Sequence, residues 1–191
     1  MNTDTDTDTD ADGPPRTLLI AAVVVAVTAV VVLLVVAVSR QRAVPPRPVP
    51  LVGIPAPQAT SADCATVLGA LPDGLGDAVR APLAEPAPPG AAAWRSDGSD
   101  EAIVLRCGVD RPVEFVVGAP LQAVDDVQWF RVGESGVADT GDGRSTWYAV
   151  DRGVYLALTL PAGSGPTPIQ QITSVIAKSL PAKPLDPAPA R

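Results

Sequence analysis

Ile103-Val104-Leu105-Arg106-Cys107 is the stretch whose reading sets the fold. Side chains alternate across a strand, so Ile103, Leu105 and Cys107 share one face and Arg106 points to the other. Downstream, residues 113–117 are a second short apolar run. Residues 121–124 and 127–132 flank Asp125-Asp126, the pattern of a tight hairpin. Residues 146–150 and 154–160 flank Asp151-Arg152-Gly153, a second hairpin whose glycine can take positive φ. The connection from Gly133 to Arg144 is polar and is expected to be mobile. Upstream, residues 74–93 are rich in Pro, Gly and Ala and read as a long loop.

Helical patterns stand at both ends of this run. Cys64, Val67, Leu68 and Leu71 fall on one helical face, with Ser61 or Asp63 available as N-cap and Pro72 as a stop. Ile169, Ile172, Ile176 and Leu180 repeat the spacing, with Lys178 near the negative end of the helix dipole and Pro181 beyond it. Strands in a run with helices at the ends predict an α+β domain over residues 61–182: a small antiparallel sheet with an N-terminal and a C-terminal helix packed on it.

A different physics governs residues 18–38. They are Leu, Ile, Val and Ala interrupted only by Thr28, with no charge. At ~1.5 Å per residue such a helix spans ~31 Å, the thickness of a bilayer's hydrocarbon layer. Its Leu, Ile and Val side chains give an insertion free energy of at most about −5 to −9 kcal/mol. This predicts a single transmembrane helix. A cleaved signal peptide is the alternative; Ala37-Val38-Ser39 is a small-x-small triplet, but the apolar stretch exceeds the usual core and its leading flank is acidic. Ala22 and Ala26 form a small-xxx-small pair of the kind that brings two membrane helices together.

Around that helix the chain reads as unstructured. Residues 1–17 carry Asp4, Asp6, Asp8, Asp10 and Asp12 and form a disordered acidic tail. Residues 39–60 hold Pro45, Pro46, Pro48, Pro50, Pro55 and Pro57 and read as an extended linker. Residues 183–191 read as a disordered C-terminal tail.

Composition narrows the function. The net charge is −7, with no basic run, so the phosphate-neutralising stripe of a nucleic-acid binder is missing. Histidine is absent, which removes the commonest general base and the commonest metal ligand together. No phosphate loop, nucleophile elbow, cofactor fingerprint or metal cluster is present, and we expect neither a cofactor nor a metal. The use of Ala, Val, Pro, Gly, Arg and Asp suggests a GC-rich bacterial genome.

Cys64 and Cys107 both lie on core faces. A bond between them would staple helix to sheet, worth ~4 kcal/mol on the chain-entropy model. Two unpaired buried thiols are the alternative; a redox-active pair lacks the C-x-x-C spacing. Topology carries a conflict. Arg40, Arg42 and Arg47 outnumber Arg16 and the α-amino group across the membrane segment, a small bias that favours a cytoplasmic domain. A disulfide would favour the other side.

Asp63-Cys64, Leu71-Pro72, Ala93-Trp94, the block from Ile103 to Val109 with Arg111-Pro112, Val127-Gln128-Trp129-Phe130 and Leu160-Pro161 together resemble an actinobacterial family known as domain of unknown function 3515. The Leu-Arg-Cys-Gly-Val-x-x-Pro-like block is its most specific element. The resemblance implies a signal or membrane anchor before the domain, hence an extracytoplasmic location and a Cys64–Cys107 bond. It implies no activity. Trp94-Arg95-Ser96-Asp97-Gly98 departs from the family's usual turn before the Arg-Cys strand.

Candidate binding residues are the aromatics and arginines of the domain: Trp94, Trp129 and Trp147 with Arg106, Arg111 and Arg144, able to recognise a sugar, a peptide or an anionic envelope component. The competing account has the tryptophans filling the core and the arginines snorkelling at its rim. Glu101, Glu114, Asp125 and Asp151 are nominal carboxylates for a wall-glycan hydrolase. Asp139-Thr140-Gly141-Asp142-Gly143 faintly resembles a calcium loop but lacks its spacing and closing glutamate. The expected partners are therefore the membrane and an envelope protein or wall component, and the expected role is a binding or accessory module more than an enzyme.

Overall fold

The structure is a computed structural model that describes residues 16–41, 47–133 and 143–190. Its elements run α1 (Arg16–Gln41), α2 (Ala62–Gly69), β1 (Gly74–Leu75), β2 (Ala78–Ala81), β3 (Ala91–Arg95), β4 (Ile103–Val109), β5 (Gln122–Val124), β6 (Val127–Gly133), β7 (Ser145–Ala149), β8 (Tyr155–Leu160) and α3 (Thr167–Ser179). They divide between two compact units, Met1–Val44 and Pro45–Arg191. The acidic tail before Arg16 lies outside the described residues, as does most of the connection between β6 and β7.

The first unit contains α1, 26 residues long. Its stretch Leu19–Val36 has a mean hydropathy of 3.3 with none of it buried, and is long and apolar enough to cross a membrane. Thr28 donates its hydroxyl to the Val24 carbonyl at 2.8 Å, so the one polar side chain in this stretch is satisfied by the helix itself.

The second unit is an eight-stranded sheet in the order β1-β2-β3-β4-β8-β7-β6-β5, every neighbouring pair antiparallel. One face carries Trp94, Ile103, Leu105, Cys107, Trp129, Leu156 and Leu158, and α2 and α3 cover it with Cys64, Val67, Ile169, Ile172 and Ile176. The fold class is thus α+β, an antiparallel sheet with a helix from each end of the domain packed on it. Ser61 caps α2 by accepting from the Cys64 N–H at 3.3 Å. Lys178 stands in the last turn of α3. Both hairpins form as their sequences predict, β5 with β6 and β7 with β8, and Asp125 takes φ 45° in the first turn.

Five features depart from the sequence reading. Residues 74–93, expected as a loop, contain β1, β2 and the start of β3; Ala78, Ala81, Ala92 and Ala93 are buried there. Alanine has weak strand preference, and pairing with neighbours overrides it. Residues 47–60, expected as a free linker, form an ordered arm on the domain. Val49 donates to Pro82 O at 2.8 Å and accepts from Ala84 N at 2.9 Å, and Gln58 N donates to Gly108 O at 3.1 Å. Proline removes donors but not acceptors or apolar surface, so a proline-rich chain can still dock. Residues 113–117 form turns in place of a strand: Phe115 is buried while Val113 is 74% exposed.

Residues 183–190, expected as a disordered tail, lie against the domain through Lys183 N to Asp151 O, Ala188 N to Phe115 O and Val117 N to Ala188 O. Lastly, Gly153 is not at positive φ. A Cβ there would approach Asp63 Oδ2 to 2.6 Å, so the glycine serves the close passage of α2's first turn.

Candidate functional site

Cys64 and Cys107 form a disulfide with a Cα–Cα distance of 5.6 Å across a sequence separation of 43. Both residues are fully buried. The bond joins the first helix of the domain to a central strand.

The three tryptophans go to different places. Trp94 is fully buried, donates its indole N–H to Pro72 O at 2.9 Å, and has the Arg80 guanidinium 4.8 Å from its ring centroid. Burial lowers the Arg80 pKa, and nearby Asp73 opposes that shift. Trp129 is fully buried and donates to Thr173 Oγ1 at 3.1 Å, which satisfies two polar groups inside the core. Trp147 is half-buried at the end of the helix-covered face, donates to Ser145 Oγ at 3.0 Å and lies 5.5 Å from the Arg131 guanidinium.

Trp147 lines a cleft of about 460 Å³ together with Gln122, Arg131, Ser145, Leu160 and Ser164. An aromatic face beside an amide, a hydroxyl and a guanidinium suits an amphipathic ligand group. Asp77, Trp94, Ser99, Glu101 and Ser164 line a second, smaller depression of about 170 Å³. The turn at residues 161–164 borders both, and Ser164 Oγ donates to Pro161 O within it.

The arginines also disperse. Arg111 pairs with Asp186 at 3.1 Å on the surface, and Arg144 pairs with Glu101. Arg106 stands half-buried on the sheet face away from the helices, as its alternation predicts. Of the nominal carboxylates, Glu101 is therefore held by Arg144. Asp151 is buried and pairs with buried Arg152 at 2.9 Å, while accepting from Gln128 N at 3.0 Å. Arg152 also donates to Asp126 O at 2.8 Å, which ties the two hairpin turns together. The loop from Asp139 to Asp142, weighed as a calcium site, lies outside the described residues.

Sequence reasoning missed Gln122, Arg131, Ser145 and Tyr148. The signal for Tyr148 was present: it alternates with Trp147, so it must face away from the helices beside Arg106. Gln122 and Ser145 gave none, since a lone polar residue at a strand end has no distinctive pattern.

No curated protein and no solved structure matches the chain. The family model described as "Protein of unknown function (DUF3515)" matches residues 23–185, which takes in most of the hydrophobic helix and the whole sheet. By that match the chain belongs to the DUF3515 family.

Proposed function

We propose that this chain is a single-pass membrane protein whose disulfide-stapled domain stands outside the cytoplasm and acts as a non-catalytic binding or accessory module of the cell envelope. The observation that carries the reading is the buried Cys64–Cys107 bond. Such a bond persists in oxidising compartments and is rare in the reducing cytoplasm. The exposed apolar surface of α1 supports an anchor, because surface of that extent is stable only in lipid or against another apolar body.

The non-catalytic part rests on how the polar side chains are engaged. Glu101, which shares a depression with Asp77, is held by Arg144, and Asp151 is held by Arg152. Two sealed sulfurs also argue against a redox role, since thiol exchange needs access to a sulfur atom. The cleft at Trp147 is the surface best suited to an envelope partner.

The test combines redox state with sidedness. Cells are lysed in denaturant with an alkylating reagent, and mobility is compared with and without reduction. Val113→Cys, at a position 74% exposed, is treated in intact cells with a membrane-impermeant maleimide. An oxidised native pair and labelling from outside are expected. Free Cys64 and Cys107, with labelling of the added thiol only after permeabilisation, would overturn the reading.

A further inference from the structure

The sheet face away from the helices carries a half-buried polar strip between two apolar clusters, with Ala157, 3% exposed, as its floor. One row across it runs Ala91, Arg106, Ala157, Tyr148 and Phe130; the next runs Ala93, Val104, Thr159, Thr146 and Val132. The arm places Val49 and Leu51 against Ala93 and Val104. Phe115 and Leu121 pack with Phe130, Val132 and Tyr148. Arg106, Ala157, Thr159 and Thr146 fall between these two clusters and belong to neither.

Arg106 is half-buried in that strip, with no ion pair or hydrogen bond among the described residues. Its charge interaction is with Tyr148, whose hydroxyl likewise has no hydrogen-bond partner there. Arg111, Arg144 and Arg152 by contrast pair with carboxylates. The half-exposed Arg106 guanidinium is not committed to an intramolecular acceptor among the described residues, and its planar fork matches a carboxylate. Ala91 and Ala157 on either side supply no bulk to block the approach. Thr146 and Thr159 share a hydrogen bond at 3.0 Å, which uses one hydroxyl proton and leaves the other free to donate.

We propose that Arg106, Tyr148 and the Thr146–Thr159 pair form a recognition site for a carboxylate group on a ligand. A monoanion matches the single positive charge. Glu114 also acts electrostatically on Tyr148, so negative charge beyond what Arg106 offsets, as on a phosphate dianion, is disfavoured more strongly than a single carboxylate. Burial lowers the Arg106 pKa and raises that of Tyr148, in each case by disfavouring the charged form. The site goes beyond the anchoring proposal and does not depend on it, because it is read on purified protein whichever side of the membrane the domain occupies.

The experiment uses the full chain in maltoside micelles and follows the Arg106 Nε–H and Tyr148 amide NMR signals. The probes are N-acetylglycine, glucuronate, neutral N-acetylglycinamide and inorganic phosphate. Both acids are expected to shift the signals, and the neutral amide is not. Whichever acid acts at lower concentration identifies a peptide end or a sugar acid as the source. Arg106→Gln should weaken the response of the Tyr148 amide roughly tenfold or more. Arg106→Lys, which keeps the charge but loses the fork, should weaken it less. No shift with either acid, an equal shift in Arg106→Gln, or tighter binding of phosphate than of both acids would overturn the proposal.

Discussion

The two faces of the sheet are closed in different ways. On one, periodic elements do the work: α2 and α3 present Val67, Ile169, Ile172 and Ile176, and a disulfide fastens the first helix to β4. On the other, closure comes from chain without periodicity, the arm at residues 47–60 and the segments around Phe115 and Ala188. The first face is one continuous apolar cluster, open at its end where Trp147 lines a cleft. The second has a strip that is only half-buried, and the polar groups of Arg106, Thr146 and Thr159 occupy it. Regular helices seal a surface because every turn presents the same stripe. An irregular arm seals only where individual backbone bonds and single side chains happen to reach, and what it leaves open is available for binding.

That contrast predicts where stability is concentrated. Replacing Cys64 and Cys107 together with alanine should cost about 4 kcal/mol, the loop-closure term for a separation of 43. For a domain of this size this corresponds to a fall in Tm on the order of 10 °C, measured by calorimetry of the full chain in micelles. A fall of only a degree or two would mean that helix packing, not the staple, holds the first face.

The second face has its own pressure point at Gly108, where φ is +78° and a Cβ would run into the Gln58 carbonyl and the Ala59 nitrogen. Gly108→Ala should cost about 1–3 kcal/mol through the left-handed backbone alone. Because the obstruction is backbone, the arm must also shift, which should raise amide hydrogen exchange at Val49 and Gln58 while the α3 amides stay protected. Equal loss of protection on both faces would show that they are not separable.

The smallest effect concerns the chain's two tyrosines, both on the second face. Burial raises the pKa of Tyr148, with Glu114 adding and Arg106 opposing. Burial raises that of Tyr155 too, with Asp186 adding and Arg111 opposing. A raised folded-state pKa favours the neutral phenol. The associated stability is therefore whole below the unfolded value of 10.0 and is lost as pH climbs through the folded values. Near-ultraviolet titration should show both phenols ionising above pH 10, with Tm declining over the same interval; Tyr148→Phe isolates Tyr155. Ionisation of either phenol below pH 10 would contradict the burial of this face.

Legibility followed the same division. Ile103, Leu105 and Cys107 announced the helix-covered face because strand alternation is a local property, and Ile169, Ile172 and Ile176 announced its cover because helical spacing is too. The hairpins at Asp125-Asp126 and Asp151-Arg152-Gly153 were readable from turn chemistry. The alanine strands of residues 78–81 and 91–95 were not, since their pairing energy resides in partners distant in sequence. For the candidate site, alternation fixed the direction of Arg106, but nothing local told that Trp94 and Trp129 would be spent on the core while Trp147 reached a cleft.

By itself, then, the sequence determined an apolar helix of bilayer length, a domain framed by two helices, two hairpins and the face that Arg106 occupies, all consequences of periodicity and turn preference within a few residues. Only the tertiary structure decided that proline-rich residues 47–60 and the segment after α3 belong to the domain, that Cys64 meets Cys107, and that Arg106 interacts with Tyr148 and pairs with no carboxylate among the described residues. Those outcomes depend on contacts between residues far apart in the chain, where backbone hydrogen bonds, close approach at Gly108 and the space left between two coverings have no local signature.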